Sequence, residues 1–188
     1  ESDARLGSLA SDVTREAKKR VSREETLSPH ARWWRLPDPG APELLRASYH
    51  RRTFARHSHD RFALGVIENG ALSFQYRGQD VLAPAGWVNL AYTGEEHTGR
   101  AASEEGWRYR MFYLDPELLL EAARALDPDH RATPFIPAGA VWDPELARRI
   151  LDKAQREAED LRRMGATEEA SEEDLEPTAP RRRLDFPF

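Results

Sequence analysis

The sequence of 188 residues contains no cysteine, which excludes disulfide bonds, thiolate metal ligands and a cysteine nucleophile. No apolar run is long enough to span a bilayer, and no segment has the apolar core of a signal peptide. The 33 acidic residues outnumber the 28 basic ones, and a net charge of -5 offers no general attraction to DNA or to anionic lipid. We therefore expect a cytoplasmic protein with no membrane partner.

Composition divides the chain into four segments. Residues 1–28 are polar and predict a helical extension, because a thin apolar stripe recurs every three or four residues at Leu6, Leu9, Val13, Ala17 and Val21. Residues 29–114 contain short β-like runs separated by turn residues, and residues 115–165 have a helical period. Residues 166–188 are acidic, contain prolines and predict a flexible tail, which ends in "RRRLDFPF".

The segment 29–114 predicts an antiparallel sheet. "FALGVIE" indicates a buried strand, "ALSFQYRG" alternates apolar and polar side chains, and further runs such as "WVNLAY" and "WRYRMFYLD" follow. Asn69 and Gly70 predict a tight hairpin turn between the first two of these runs, since both tolerate positive φ. Six or more short strands in series favour a mainly β protein, an antiparallel β-barrel or jelly roll followed by C-terminal α-helices, over an alternating βαβ fold.

Two helices follow the strands. Asp115 and Asp143 each precede a proline and a glutamate, the pattern of a capping residue with proline at the first helical position. The second helix is predicted to end near Gly165. Its narrow apolar stripe favours a seam between two copies of the chain, although one edge of the domain surface would produce the same pattern. We therefore predict a homodimer interface made of Leu146, Ile150, Ala154, Leu161 and Met164.

Three histidines are candidates for a binding site. His57 and His59 are two residues apart, so that on a strand both imidazoles lie on the same face, and His97 follows a glycine turn further along the chain. Three imidazoles brought together could hold Zn, Fe, Mn or Ni, and they could equally hydrogen-bond a polar ligand or fix backbone carbonyls. The residues alone leave these alternatives open.

These histidines resemble the metal-binding motifs of the cupin family. Gly86, Gly94 and His97 match the second cupin motif in register, with Tyr92 in place of its proline and Ala101 in place of its closing asparagine. His57, His59 and Gly70 fit the first motif, but its glutamate position is taken by Ala63 or Leu64, depending on the spacing. The resemblance thus supplies three histidines and no carboxylate, so we expect no metal cofactor; a bound metal would use His57, His59 and His97.

A narrower resemblance covers roughly residues 32–120. "FARHSHDRFALGVIENGALSFQYRG", "GEEHTG" and "GWRYRMFYLDPELL" resemble, in order, the N-terminal effector-binding domain of AraC-type transcription regulators. The resemblance implies a small β-barrel that binds a small-molecule effector inside and linker helices that dimerise. In such regulators DNA is read by a C-terminal domain with two helix-turn-helix units, for which this sequence has no counterpart after Gly165.

Further ligand contacts are predicted from residue type. Arg108 and Arg110 share one face of a strand, where they could grip a carboxylate or sugar hydroxyls if that face points inward, and would be ordinary surface charges if it points outward. Phe74, Tyr76 and Trp87 could form an apolar wall for the ligand or simply belong to the core. The expected function is a non-enzymatic sensor, and the alternative is a small metal-dependent cupin enzyme, an oxygenase or isomerase.

Overall fold

The computed structural model describes residues 30–35 and 40–169. The helix predicted within residues 1–28 and the terminal "RRRLDFPF" lie outside these residues. The described residues form ten strands and two helices, in this order: β1 (His30–Arg35), β2 (Glu43–Tyr49), β3 (Thr53–His57), β4 (Phe62–Tyr76), β5 (Gln79–Pro84), β6 (Val88–Ala91), β7 (His97–Ala101), β8 (Trp107–Leu114), α1 (Pro116–Leu126), β9 (Ala140–Val141), α2 (Pro144–Arg163) and β10 (Thr167–Glu169).

The strands pair antiparallel in two sheets that share β4. One sheet has the order β10-β1-β2-β8-β4-β6-β9, and the other joins β3 to β7, β7 to β4 and β4 to β5. The interior between the sheets is filled by alternate residues of each strand, with Trp107, Tyr109, Met111 and Tyr113 of β8 as one continuous row. The predicted mainly β architecture is confirmed.

The hairpin predicted at Asn69–Gly70 is wrong. Strand β4 runs through this dipeptide without a turn, pairing with β8 up to Gly70 and with β5 from Ala71. Gly70 has φ of 69°, and an added Cβ would lie 1.9 Å from the carbonyl oxygen of Gly106. The glycine is therefore required where the strand crosses from one sheet to the other. The two-residue turn lies at Arg77 and Gly78, where both residues have positive φ.

Both helices begin where the sequence predicts. The Asp115 carboxylate accepts a hydrogen bond from the backbone N–H of Glu117 at 2.9 Å, and Asp143 accepts one from Leu146 at 2.9 Å. Helix α2 ends two residues before Gly165, which adopts φ of 75°. The predicted caps and the predicted end of α2 are confirmed.

The apolar stripe of α2 packs on its own sheet, which corrects the expectation that it is available to a second chain. Ile150, Ala154 and Leu161 are 6%, 0% and 3% exposed, in contact with sheet residues that include Trp34, Leu44 and Phe112. Alanines at 147, 154 and 158 allow the helix to approach the sheet closely. From the predicted dimer stripe, only Leu146 (36%) and Met164 (69%) remain exposed.

Two short strands lie in segments for which the sequence predicted no sheet. Ala140–Val141, which lies between the two helices in the chain, pairs with β6. Thr167–Glu169, which the sequence assigned to a flexible tail, pairs with β1. Runs of two and three residues are too short to show an alternating pattern, so only the pairing partner reveals them. Neither helix in the described part of the chain has the length and apolarity that a bilayer crossing requires.

Candidate functional site

The three predicted histidines meet at one end of the barrel. His57 at the end of β3 and His97 at the start of β7 are direct cross-strand partners, and His59 lies two residues beyond β3. The ring centroids of His57 and His97 are 4.4 Å apart, and each lies within 5.0 Å of the His59 ring. One nitrogen from each ring lies within 4.8 Å of the other two. The structure thus brings the histidines of both motifs together.

Backbone carbonyls orient two of the rings. His57 Nδ1 lies 2.8 Å from the carbonyl oxygen of Ala55, and His97 Nδ1 lies 3.0 Å from that of Glu95. A carbonyl only accepts hydrogen bonds, so Nδ1 of each ring carries a hydrogen and donates it. In the neutral form of such a ring, Nε2 has a free lone pair, which can accept a hydrogen bond or bind a metal.

Burial keeps His59 and His97 neutral. It lowers the pKa of His59 to about 3, and the neighbouring imidazoles of His97 and His57 lower it further because a second positive charge would be repelled. Burial also lowers the pKa of His97 to about 4, against the opposing effect of its hydrogen bond to Glu95. At neutral pH both rings are therefore acceptors rather than cations.

Aromatic side chains surround the cluster on the inner face of the barrel. Tyr76 is the cross-strand partner of His97 in the other direction, and the Tyr113 ring lies 5.2 Å from the His59 ring, edge to face. The Trp33 ring stacks on Tyr113 at 5.1 Å, and the Phe54 ring lies 6.1 Å from His57. The site thus combines three hydrogen-bond acceptors with an apolar wall.

Ala63 decides whether the cluster includes a carboxylate. Its side chain belongs to the interior core and is 3% exposed, whereas Leu64 contacts the helix side of the sheet. The inner position in which a cupin glutamate is expected is therefore a methyl group. Glu95 and Glu96 instead pair with Arg77 and Arg56, at 3.2 and 3.3 Å. In the described part of the chain, the group of convergent ligand atoms consists of the three imidazoles.

The three nitrogens come close to the geometry of a metal site. Nitrogens bound to one Zn²⁺ at about 2.0–2.1 Å are at most about 4.2 Å apart, and here they lie within 4.8 Å of one another. A small rotation of the rings would close this gap. Imidazoles whose Nδ1 is fixed by a carbonyl, as in His57 and His97, present Nε2 as the ligand atom that such an ion needs.

The structure does not bring Arg108 and Arg110 to the histidines. Trp107, Tyr109 and Met111 of β8 face the interior, so Arg108 and Arg110, which alternate with them along the strand, face the outer side of the sheet. There they contact Glu68, at 3.3 Å for Arg108 Nε and 2.7 Å for Arg110 Nε. Burying the aromatic face of β8 fixes this orientation, because a strand cannot turn both faces inward.

The predicted aromatic residues lie on the inner side. Phe74 and Tyr76 are buried in the interior core, and Trp87 packs against its edge, where its ring lies 6.1 Å from that of Trp142. Sequence reasoning missed Tyr113, Trp33 and Phe54 as neighbours of the histidines. The alternation of aromatic residues in "WRYRMFYLD" already carried the signal for Tyr113.

A separate groove of about 710 Å³ lies on the outside, between α2 and the sheet. Its floor is apolar, with Leu64, Phe112 and Ile150, and its rim is charged, with Arg149, Arg156 and other residues of α2. The histidines do not line it. It is therefore a surface feature distinct from the candidate site.

Three solved structures illustrate the similarity of the fold. A conserved protein of unknown function from Streptococcus pyogenes has a TM-score of 0.34 and 16% identity, over 40% of this chain and 63% of that one. Oxalate decarboxylase from Bacillus subtilis has a TM-score of 0.40 and 17% identity, over 46% of this chain and 25% of that one. A cupin superfamily protein from Desulfitobacterium hafniense has a TM-score of 0.38 and 11% identity, over 45% of this chain and 77% of that one. The chain thus spans less than two thirds of the first two proteins.

Comparison of the sequence with protein families gives a specific result. None of the curated proteins matches the chain in sequence. The family model of the AraC-like ligand binding domain matches residues 39–174, which include all three histidines and both helices. The family resemblance that the sequence predicted, and with it the ligand-binding type of β fold, are confirmed. The chain belongs to the family of AraC-like ligand-binding domains.

Proposed function

We propose that this chain senses a small-molecule effector inside its barrel, as the ligand-binding part of a transcription regulator. The observation that carries the proposal is the cluster of three imidazoles beside an aromatic wall, on the inner face of a domain from a ligand-binding family. A binding role also agrees with Ala63, which removes the carboxylate that a cupin metal site would be expected to use. We propose no catalytic step.

The chemistry of the site defines the class of ligand. Nε2 atoms of neutral imidazoles accept hydrogen bonds, so a ligand with hydroxyl or amine N–H groups is favoured. Tyr76, Tyr113 and Trp33 offer faces on which a sugar ring or a planar ring would pack. Arg108 and Arg110 face away and are not available to a ligand carboxylate. We therefore propose an uncharged, hydroxylated effector with one apolar face.

Native mass spectrometry of the purified chain tests the proposal, because a co-purified molecule would appear as added mass. Where none appears, a panel of sugars and phenols is titrated by calorimetry. We expect His97→Gln to weaken binding by about 1–3 kcal/mol, or about 5- to 150-fold in Kd, since it removes a buried polar partner. Arg110→Gln, on the outer face, is the control and should leave Kd unchanged. Equal effects of both variants would contradict the site.

A metal site is the second candidate, and the convergence of three ring nitrogens within 4.8 Å favours it. His57, His59 and His97 would hold the ion, which would supply Lewis acidity at its open coordination positions. The residues of the chain would orient the rings through the carbonyls of Ala55 and Glu95. This candidate includes the alternative of a small metal-dependent enzyme.

Elemental analysis separates the two candidates. If the chain is a sensor without a metal, the protein purified without added metal should contain well below one equivalent of Fe, Zn, Mn or Ni. Zn²⁺ that is added after treatment with a chelator should then be lost again on desalting. Stoichiometric metal that is lost in His57→Gln and retained in Arg110→Gln would favour the metal site instead. His57 lies in the inner cluster and Arg110 on the outer face of the same barrel. Arg110→Gln therefore controls for the general effect of a single substitution.

A further inference from the structure

An asparagine side chain faces the interior of the barrel with an unpaired oxygen atom. Trp87 and Ala91 pack against the interior core, whereas Val88 of the same segment packs on the side of α2. Asn89 alternates with Val88, so its side chain faces inward together with those of Trp87 and Ala91. Asn89 is 6% exposed, and its Oδ1 atom has no hydrogen-bond partner among the described residues.

The inner neighbours of Asn89 carry no N–H or O–H group in their side chains. Its cross-strand partners are Gly65 of β4 and Ala140 of β9. Gly65 in turn pairs with Met111 of β8, whose sulfur would lie 2.7 Å from a Cβ added to Gly65. A buried amide oxygen without a partner lowers the stability of the fold. Folding alone would favour an apolar side chain at this position, so the amide needs another explanation.

Two small side chains lie between this amide and the histidines. Ala91, Ala63 and Tyr113 are successive cross-strand partners and form the next inner row toward the histidines. The Tyr113 ring lies 5.2 Å from the His59 ring. Two residues along a strand rise about 7 Å, so Asn89 lies about this much deeper in the barrel than the row of Tyr113. This depth is comparable to the span of a six-membered ring with substituents at opposite positions.

Two aromatic rings of the other sheet lie beside this part of the interior. A Cβ added to Gly139 would lie 2.9 Å from the Tyr76 ring and 3.0 Å from the Phe74 ring. Gly139 directly precedes β9, which pairs with β6 at Asn89. Tyr76 is also the cross-strand partner of His97. Tyr76 therefore lies beside both the histidines and the strand that pairs with Asn89, where its ring offers an apolar face to a ligand.

We propose that Asn89 binds the effector and selects ligands with a second polar group opposite the one that meets the histidines. This inference rests on the proposed function and narrows its ligand class. A primary amide presents one acceptor and two N–H donors, so a hydroxyl group, which both donates and accepts, complements it. The effector is then a ring compound with hydroxyl groups at opposite ends. A ring with one hydroxyl binds less tightly because it leaves the buried amide unpaired.

Two pairs of probe molecules isolate the effect of the second hydroxyl: phenol with hydroquinone, and cyclohexanol with 1,4-cyclohexanediol. Calorimetry measures the Kd of each probe for the full chain. In at least one pair we expect the unmodified protein to bind the dihydroxy probe about 5- to 100-fold more tightly than its partner. Asn89→Leu, which is close to asparagine in size, should abolish this preference. The matched control Gln75→Met replaces an exposed amide of β4 and should retain it.

The results separate this inference from the proposed function. His97→Gln should weaken both members of a pair, because it changes the end of the site that they share. If binding depends on His97 but Asn89→Leu keeps the preference for the dihydroxy probe, the role of Asn89 is wrong and the proposed function stands. Equal Kd values within each pair for the unmodified protein, or no binding of any probe, would also overturn the inference. Probe binding that is unchanged in His97→Gln would contradict the proposed function itself.

Thermal unfolding of the same variants distinguishes a binding role from a structural one. An amide that holds the fold together through hydrogen bonds stabilises it, so its removal would lower the midpoint of unfolding. An amide kept for a ligand destabilises the free protein, so Asn89→Leu and the smaller Asn89→Val should keep the midpoint or raise it by about 3–6 °C. Gln75→Met should leave it unchanged. A midpoint that is lowered in both Asn89 variants would show a structural amide and overturn the proposal.

Discussion

His59 shows how the interior changes the chemistry of single residues. The sequence predicts that three histidines converge, because a two-residue spacing on a strand and a glycine turn constrain where they lie. It does not predict their charge, which depends on the aromatic residues that bury them. The same limit applies to Arg108 and Arg110: alternation gives two faces of β8, and only the packing of Tyr109 and Met111 determines which face is inner.

The lowered pKa values predict a pH-dependent stability. The folded-state pKa values of His59 and His97, about 3 and about 4, lie below the ordinary 6.5. Between these values the unfolded chain binds protons that the folded chain does not, so stability is full above about pH 6.5 and falls as the pH decreases. Each group contributes a slope of at most about 1.4 kcal/mol per pH unit.

Urea unfolding of chelator-treated protein at several pH values measures this slope. His59→Gln removes one of the two groups, so its free energy of unfolding should depend less steeply on pH between about 4 and 6.5. His130→Gln removes a histidine outside the cluster and should keep the profile of the unmodified protein. If His59→Gln kept the full slope, the protonation of the cluster would not be its cause.

Helix α2 shows what periodicity leaves open at the scale of an element. Its stripe predicts which residues are buried, and Ile150, Ala154 and Leu161 are indeed buried. A stripe of the same width fits a second helix or the outer face of a sheet, so the partner does not follow from the pattern. The alanines at 147, 154 and 158 agree with close packing on strands. The hairpin predicted at Asn69–Gly70 is wrong for the same reason: the dipeptide indicates a special backbone conformation but not the pairing partners. Strand β4 changes its partner there from β8 to β5.

Truncation in α2 is therefore expected to affect folding rather than association. Ile150→Ala and Leu161→Ala should each lower the free energy of unfolding by about 2–5 kcal/mol, because each leaves a cavity between helix and sheet. The control Arg149→Ala, exposed on the same helix, should change it by less than about 0.5 kcal/mol. Chemical denaturation measures all three. Unfolding energies unchanged in the first two variants, with loss of a dimer, would restore the stripe to an interface.

The homodimer that we predict has to use surfaces other than the buried stripe of α2. Helix α1 has no buried residue, and Leu126 at its end is 90% exposed, as Met164 is 69% exposed beyond α2. We predict that light scattering finds a homodimer and that Leu126→Asp with Met164→Asp yields a monomer of unchanged stability. Glu121→Gln on α1 is the control and should remain dimeric. A monomeric unmodified protein at high concentration would contradict the prediction.

The segment of residues 131–139 connects the candidate site with the helices across the molecule. The Tyr92 hydroxyl donates to the carbonyl oxygen of Pro134 and accepts from Ile136 N–H at 2.7 Å. Tyr92 N–H in turn donates to the hydroxyl of Tyr76, the cross-strand partner of His97, at 3.2 Å. From this segment the chain continues through β9 into α2. We predict that a ligand that moves Tyr76 or His97 acts on the connection between α1 and α2, provided that it binds the two arrangements of this connection with different affinity.

Tyr92→Phe tests this connection. Removal of the hydroxyl should cost about 1–2 kcal/mol locally and speed hydrogen exchange at the Ile136 amide by about tenfold. In the unmodified protein, binding of an effector found by mass spectrometry or calorimetry should slow exchange of the amides between 135 and 139. In Tyr92→Phe the slowing should be lost while the effector still binds. Glu121→Gln, at an exposed site on α1, should retain it. The hydroxyl that Tyr92→Phe removes bonds to Pro134 and Ile136, so retained binding with lost protection would separate transmission from recognition. Protection that persists in Tyr92→Phe would show that the signal takes another route.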